Sequence, residues 1–150
     1  MKTVLIIFGM GLALTQGNAQ KLNAKDVPAS VKSSLEKNYN VKDADWSRED
    51  SDYEASFEQK GIEISVVFDS NGSVVETERE IKKSELPAAV LELLKKDYAD
   101  FEIEEAARIE NKGVITYETE IEKGRMSFEL IFDAGGKLIK KEVEENDKKE

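Results

Sequence analysis

The chain carries one pattern twice, and any fold it adopts must satisfy both copies. Val27-Pro28-Ala29-Ser30-Val31 lines up with Leu86-Pro87-Ala88-Ala89-Val90 at an offset of 59, and Leu35 with Leu94 and Tyr39 with Tyr98 keep that offset. Further on, Tyr53-Glu54 matches Tyr117-Glu118, Val67-Phe68-Asp69 matches Ile131-Phe132-Asp133, and Gly72 matches Gly136, all at an offset of 64. The offset grows by five between Tyr98 and Tyr117, where the second copy is longer. Internal similarity at a fixed period means one supersecondary unit used repeatedly.

Each copy opens with apolar residues four apart: Val27, Val31, Leu35 and Tyr39 in the first, Leu86, Val90, Leu94 and Tyr98 in the second. That spacing puts one apolar stripe on a helix. Pro28 and Pro87 fall in the first turn, where a missing N–H costs little, and Asp26 and Ser84 are candidate N-caps. Period-two alternation follows and predicts strands. Tyr53, Ala55 and Phe57 alternate with Glu54, Ser56 and Glu58, and Ile62, Ile64, Val66 and Phe68 with Glu63, Ser65, Val67 and Asp69. Asn71-Gly72 predicts a two-residue hairpin with positive φ at both positions, and Val74 to Ile81 returns. In the second copy Ile115, Tyr117, Thr119 and Ile121, then Met126, Phe128, Leu130 and Phe132, repeat the alternation; Gly135-Gly136 turns the chain and Lys137 to Val143 returns. Weaker strands are expected around Ala44 to Arg48 and Glu104 to Ile109. The predicted fold is α+β, a tandem repeat of a helix followed by a three- or four-stranded antiparallel sheet, with one sheet face on the helix and the other in solvent.

The segment before the first copy reads as an address. Lys2, the apolar run Val4 to Leu14 and the small residues Gly17 and Ala19 make a secretory signal peptide over 1–19, cut after Ala19. Eleven residues at about 1.5 Å each cannot cross a hydrocarbon core of about 30 Å. The expected organisation is a signal peptide at 1–19, one repeat at 20–82, a second at 83–145, the two packed as one body, and a charged tail at 146–150. The expected location is periplasmic or secreted. The chain has no Cys, so it must fold without disulfides; about 130 residues bury roughly two-thirds of their unfolded surface, which suffices.

Composition removes several chemistries. With neither Cys nor His in its 150 residues, the chain offers no thiolate nucleophile, no Cys/His zinc site and no triad with a His base. Lys and Arg number 22 against 32 Asp and Glu, a net charge of −10, which argues against nucleic acid as a partner because phosphate contacts need clustered cations. Ser34-Leu35-Glu36-Lys37 matches an S-x-x-K nucleophile motif but has no S-D-N or K-T-G companion. Asp69 to Ser73 resembles a calcium loop only faintly, with Gly in the wrong place, and reads better as a hairpin. No cofactor and no catalytic residue are expected.

What remains is an acid-rich strand face. Glu54, Glu58, Glu63, Glu76 and Glu78 alternate with core positions in the first copy, and Glu118, Glu120 and Glu129 in the second. They are candidate partner-binding residues for a protein with a basic surface, since opposite potentials speed and orient encounter; the plain alternative is a solvated face kept soluble by charge. Trp46, the only Trp, is either an anchor for the same partner or a cover for the seam between helix and sheet. Paired carboxylates also raise a hydrolase reading, but a catalytic acid needs a pKa raised by burial, and these positions read as exposed. An envelope protein binding a small ligand or cation is the other alternative.

The order of Trp46, Tyr53-Glu54-Ala55-Ser56-Phe57, Val67-Phe68-Asp69, Gly72, Glu76-Thr77-Glu78, Leu86-Pro87, Tyr117-Glu118-Thr119-Glu120, Phe132-Asp133 and Gly136, behind a signal peptide, resembles the β-lactamase-inhibitor-like, PepSY-like periplasmic family of Bacteroides-type bacteria. The resemblance spans roughly residues 25–145. It implies tandem helix-plus-sheet units and a non-enzymatic, protein-binding or regulatory role outside the cytoplasm. It carries over no catalytic residues. Unlike the true β-lactamase inhibitor, this chain has no Cys.

Overall fold

Alternating side chains commit most of this chain to strands, and in the computed structural model those strands join into a single sheet. Residues 20–144 are described; the expected signal peptide at 1–19 and tail at 146–150 lie outside them. In chain order the elements are β1 Gln20–Leu22, α1 Ala29–Tyr39, β2 Asp45–Glu49, β3 Asp52–Gln59, β4 Ile62–Phe68, β5 Val74–Glu80, α2 Ala88–Asp97, β6 Glu102–Asn111, β7 Val114–Lys123, β8 Met126–Asp133 and β9 Leu138–Glu144. The nine strands form one antiparallel sheet in sequence order. The weaker strands expected near residues 44 and 104 are β2 and β6. A helix followed by four strands thus occurs twice, but the sheet does not stop between them. β5 pairs with β6, with Glu76 opposite Asn111 and Glu78 opposite Ile109. An unpaired β5 would leave a row of backbone donors and acceptors exposed, and β6 satisfies them.

The stripes land on the core as the four-residue spacing requires. Val27, Val31 and Leu35 pack with Trp46, Tyr53, Ala55, Ile64, Val66 and Phe68. Leu86, Val90 and Leu94 pack with Ala106, Ile121, Leu130 and Phe132. Each such buried Val, Leu, Ile or Phe contributes about 1.5–3 kcal/mol. Both helices begin differently from expectation. Pro28 and Pro87 are themselves the N-cap residues, with φ of −55° and −53° and extended ψ, a backbone their rings pre-set. Asp26 and Ser84 instead lie in single 3-10 turns, Ala24–Asp26 and Lys83–Glu85.

The hairpins β4–β5 and β8–β9 also correct the expectation. Asp69 N–H donates to Ser73 O, Gly72 N–H donates to Asp69 O, and Asp69 Oδ1 accepts from the N–H groups of Asn71 and Ser73. Asp133 makes the same set with Gly135, Gly136 and Lys137. Within these two turns only Gly72 and Gly136 have positive φ. Each connection is therefore a three-residue turn ending in a left-handed glycine. Asp69 and Asp133 outcompete the two-residue turn because each carboxylate occupies two backbone N–H groups of the wider loop.

The two helix ends are anchored by different means. Tyr39 Oη lies 3.2 Å from Thr77 Oγ1, tying α1 to β5, and its ring meets Phe57 edge-on. Its counterpart Tyr98 joins an aromatic group with Phe101 and Phe128, capped by Lys141 Nζ at 3.8 Å from the Phe128 centroid. Tyr39→Phe is expected to cost about 1 kcal/mol, the worth of one part-buried hydrogen bond, read as a lower denaturant midpoint with unchanged slope.

Candidate functional site

Strand alternation puts the strand residues of both helix cores on the face under the helices and the residues between them on the other. That other face receives Glu54, Ser56 and Glu58 from β3, Glu63 and Ser65 from β4, and Glu76 and Glu78 from β5. It also receives Glu118 and Glu120 from β7, and Ser127 and Glu129 from β8. Pairing sets Glu58 opposite Glu63, Ser56 opposite Ser65, Ser65 opposite Glu78, and Glu120 opposite Glu129. The structure therefore gathers the eight predicted glutamates on one face. Trp46 is not with them. It is 3% exposed and belongs to the α1 core on the opposite face, so no partner touches it in the folded protein; its place opposite Ala55 in the β2–β3 register decides this.

This face is not the solvated surface that alternation suggested. Glu76, Glu78 and Glu129 are 7%, 6% and 4% exposed, and Ser65 and Ser127 are fully buried. Ile109 and Ile131, also on this face, are buried without joining either helix core. Glu78 on β5 also interacts electrostatically with Glu129 on β8, three strands away. Burial on a face that no described helix covers is what a sheet coiled toward that face produces.

Several of these carboxylates are held by small polar groups. Ser47 Oγ donates to Glu54 Oε2 at 2.6 Å, and Ser65 Oγ donates to Glu54 Oε1 at 2.6 Å. Glu54 is thus gripped by hydroxyls from the strands on either side. Asn111 Nδ2 donates to Glu76 Oε2 at 2.6 Å across the β5–β6 pair, and Ser127 Oγ donates to Glu120 Oε1 at 3.2 Å. Burial raises Glu76, opposed by the Asn111 bond and reinforced by Glu54. Burial pushes Glu78 up to about 8, aided by the neighbouring Glu76, Glu54, Glu129 and Glu105. Glu63 is raised by burial and by Glu80 and Glu58. At neutral pH Glu78 is therefore mostly protonated, which relieves repulsion at the middle of the face.

Sequence reasoning missed the serines and Asn111. The signal was present: at the 64-residue offset, Glu54, Ser56, Glu63 and Ser65 correspond to Glu118, Glu120, Ser127 and Glu129. Serine and glutamate exchange places between the copies, so carboxylates and hydroxyls meet on the shared face. Among the described residues no three acidic side chains are placed to hold a metal ion. An apolar hollow of about 440 Å³ lies elsewhere, beside α2 between Leu94, Tyr98, Phe101 and Ile121, and Lys95 is its only charged lining residue.

A continuous antiparallel sheet carrying two helices on one face and carboxylates on the other defines a β-lactamase-inhibitor-like (BLIP-like) fold. The chain belongs to the family described as "Putative beta-lactamase-inhibitor-like, PepSY-like", whose model matches it over residues 13–76 and again over 64–140. No curated protein matches the sequence. Several solved structures share the fold. A BLIP-like protein from Bacteroides fragilis NCTC 9343 is 26% identical over 82% of this chain and 92% of its own, with a TM-score of 0.64. A protein described as "putative periplasmic" from Bacteroides eggerthii DSM 20697 is 21% identical over 80% and 91%, with a TM-score of 0.74. A DUF2874 family protein from Bacteroides uniformis ATCC 8492 is 22% identical over 77% and 88%, with a TM-score of 0.70. Among the described residues no helix is long and apolar enough to cross a membrane.

Proposed function

We propose that this chain is a non-catalytic, protein-binding module of the cell envelope, exported by the segment 1–19 and cut after Ala19, which receives a basic partner surface on its curled, carboxylate-lined face. The observation that carries the reading is the convergence of glutamates from β3, β4, β5, β7 and β8 on the one sheet face without a helix. Its centre is desolvated and flanked by Glu54 and Glu120, which hydroxyls hold in place; its margin, with Glu58 and Glu80 exposed, is where a cation is first felt. A curled sheet presents a concave surface, and field lines focus in concavities of one sign. The raised pKa of Glu78 meets one requirement of a catalytic acid, yet its burial keeps it from a substrate bond, so binding is the reading we adopt. The family described as inhibitor-like and the periplasmic description of a structural relative agree with it.

The test is capture of partners from an envelope extract at low and moderate salt. Wild-type protein is expected to retain a salt-sensitive protein in near-equal amount. The triple variant Glu58→Lys, Glu63→Lys and Glu80→Lys, which spares the buried centre, is expected to lose it while keeping its circular dichroism. Equal capture by both proteins would refute the assignment of the face.

A further inference from the structure

The hollow beside α2 is where the second copy departs in chemistry from the first. Leu91, Ala99 and Phe101 line it; 59 residues earlier the chain carries Lys32, Asn40 and Lys42. There Lys32 Nζ donates to Ala24 O at 3.0 Å, and Lys42 forms a 3.1 Å ion pair with Glu36 at the end of α1. The second copy has apolar side chains in place of that polar covering. About 440 Å³ lies against Leu94 and Ile121, both members of the α2 core. That volume is within the range of small-molecule pockets, about 300–1,000 Å³. Apolar walls in contact with water favour a ligand that removes them from it.

Charge at the rim selects the head of that ligand. Lys95 lines the hollow and stands at the position of Glu36 in the first copy. The position of its partner Lys42 is taken by Phe101, and none of the ion pairs among the described residues includes Lys95. Lys141 Nζ lies 5.0 Å from the Tyr98 centroid and is likewise in none of them. Lys123, over Phe101 at 5.8 Å, is neutralised by Asp100 at 2.9 Å. Two lysines without acid partners thus border an apolar hollow in a chain of net charge −10. An ammonium is a point charge with three donors, suited to a carboxylate. The body of the ligand follows from the walls, where Leu91, Leu94, Ile103 and Ile121 are aliphatic.

We propose that this hollow binds a free aliphatic carboxylate, with its chain against Leu91, Leu94, Phe101 and Ile121 and its head at Lys95. The site is on the helix side of the sheet, so it does not rest on the reading of the carboxylate face. Its occupant is a free ligand and not a bilayer. A lipid surface is met by projecting apolar side chains, whereas this apolar surface is recessed, with Leu94 and Ile121 at 5% and 1% exposure.

The test is titration of isotope-labelled protein with millimolar hexanoate, octanoate and decanoate, followed by amide NMR shifts. Shifts are expected to centre on the end of α2, on residues 98–103 and on Ile121. Affinity is expected to rise up to about fourfold per added methylene. Lys95→Glu is expected to weaken octanoate at least tenfold and to leave the binding of octanol, which has no charge, unchanged. Ala99→Phe, at an exposed position of the rim, is expected to fill the hollow and abolish the binding of both. Circular dichroism matching wild type confirms that each variant is folded. Absence of shifts with all three carboxylates would overturn the proposal, as would shifts centred elsewhere. So would octanoate binding that neither Lys95→Glu nor Ala99→Phe weakens. Flotation with phosphatidylglycerol vesicles by a protein that ignores octanoate would also overturn it, by naming a bilayer as the occupant.

Discussion

Raising the pH from 4.5 toward 8 is expected to weaken this fold steadily, and Glu78→Gln is expected to remove most of that loss. Glu78 has a folded pKa of about 8 against an ordinary 4.5, because burial and the carboxylates of Glu76, Glu54, Glu129 and Glu105 all disfavour its charge. The folded state therefore binds a proton that the unfolded chain releases. Stability is fully present below about 4.5 and is lost as pH climbs through about 8, with a slope approaching 1.4 kcal/mol per pH unit, roughly one proton's worth. The raised pKa values of Glu76 and Glu63 act in the same direction. Glutamine keeps the shape of the protonated side chain and cannot ionise, so the variant should be more stable than wild type at the alkaline end and nearly equal to it at pH 4.5. Urea melts across that range check both statements. Further into acid the sign reverses. Asp69, whose pKa is lowered by the backbone N–H groups of Ser73, Asn71 and Gly72, contributes stability that disappears as pH falls through its folded pKa below 3.8.

Gly136→Ala is expected to be among the most damaging single-methyl changes in the molecule. Gly136 has φ of +85°, and a Cβ built there would lie 2.5 Å from Ala89 Cβ and 3.1 Å from Val90 N. The β8–β9 hairpin tip rests directly on the first turn of α2. A methyl group must adopt an unfavourable backbone and push the helix away, together about 2–4 kcal/mol. Gly72 occupies the same place over α1, 2.7 Å from Ser30 O by the same construction, where Ser30 Oγ donates to Ser70 O. Gly61 is the control. Its φ is +76° but nothing lies within 4 Å of a built Cβ, so Gly61→Ala should cost only the backbone term of about 1–2 kcal/mol. Thermal melts of the three variants should rank Gly61→Ala well above the other two; equal losses would mean that the tips do not bear on the helices.

These contacts show what kind of information alternation carries. Tyr53, Ala55 and Phe57 against Glu54, Ser56 and Glu58 told which side chains share a face, and the helix stripes told what covers one of those faces. Both agree with the structure because backbone geometry enforces periods of two and 3.6 residue by residue. Whether the uncovered face is open or closed depends on how far nine strands curl, and no local pattern records that. Glu76, Glu78 and Glu129 therefore read as wet and are buried. Trp46 was ambiguous because β2 is short, and its face follows only from the register with β3. The continuity of the sheet from β5 to β6 is equally non-local, since either copy could have ended at its own edge.

Carboxyl-resolved NMR titration of Glu78 tests most directly whether the sheet closes over its acids to form a pre-arranged face. A midpoint near 8, falling when Glu76 is replaced by Gln, is the predicted result. A midpoint in the ordinary carboxylate range, insensitive to Glu76, would mean that the face is open to water and that its glutamates are no more than a charged coat.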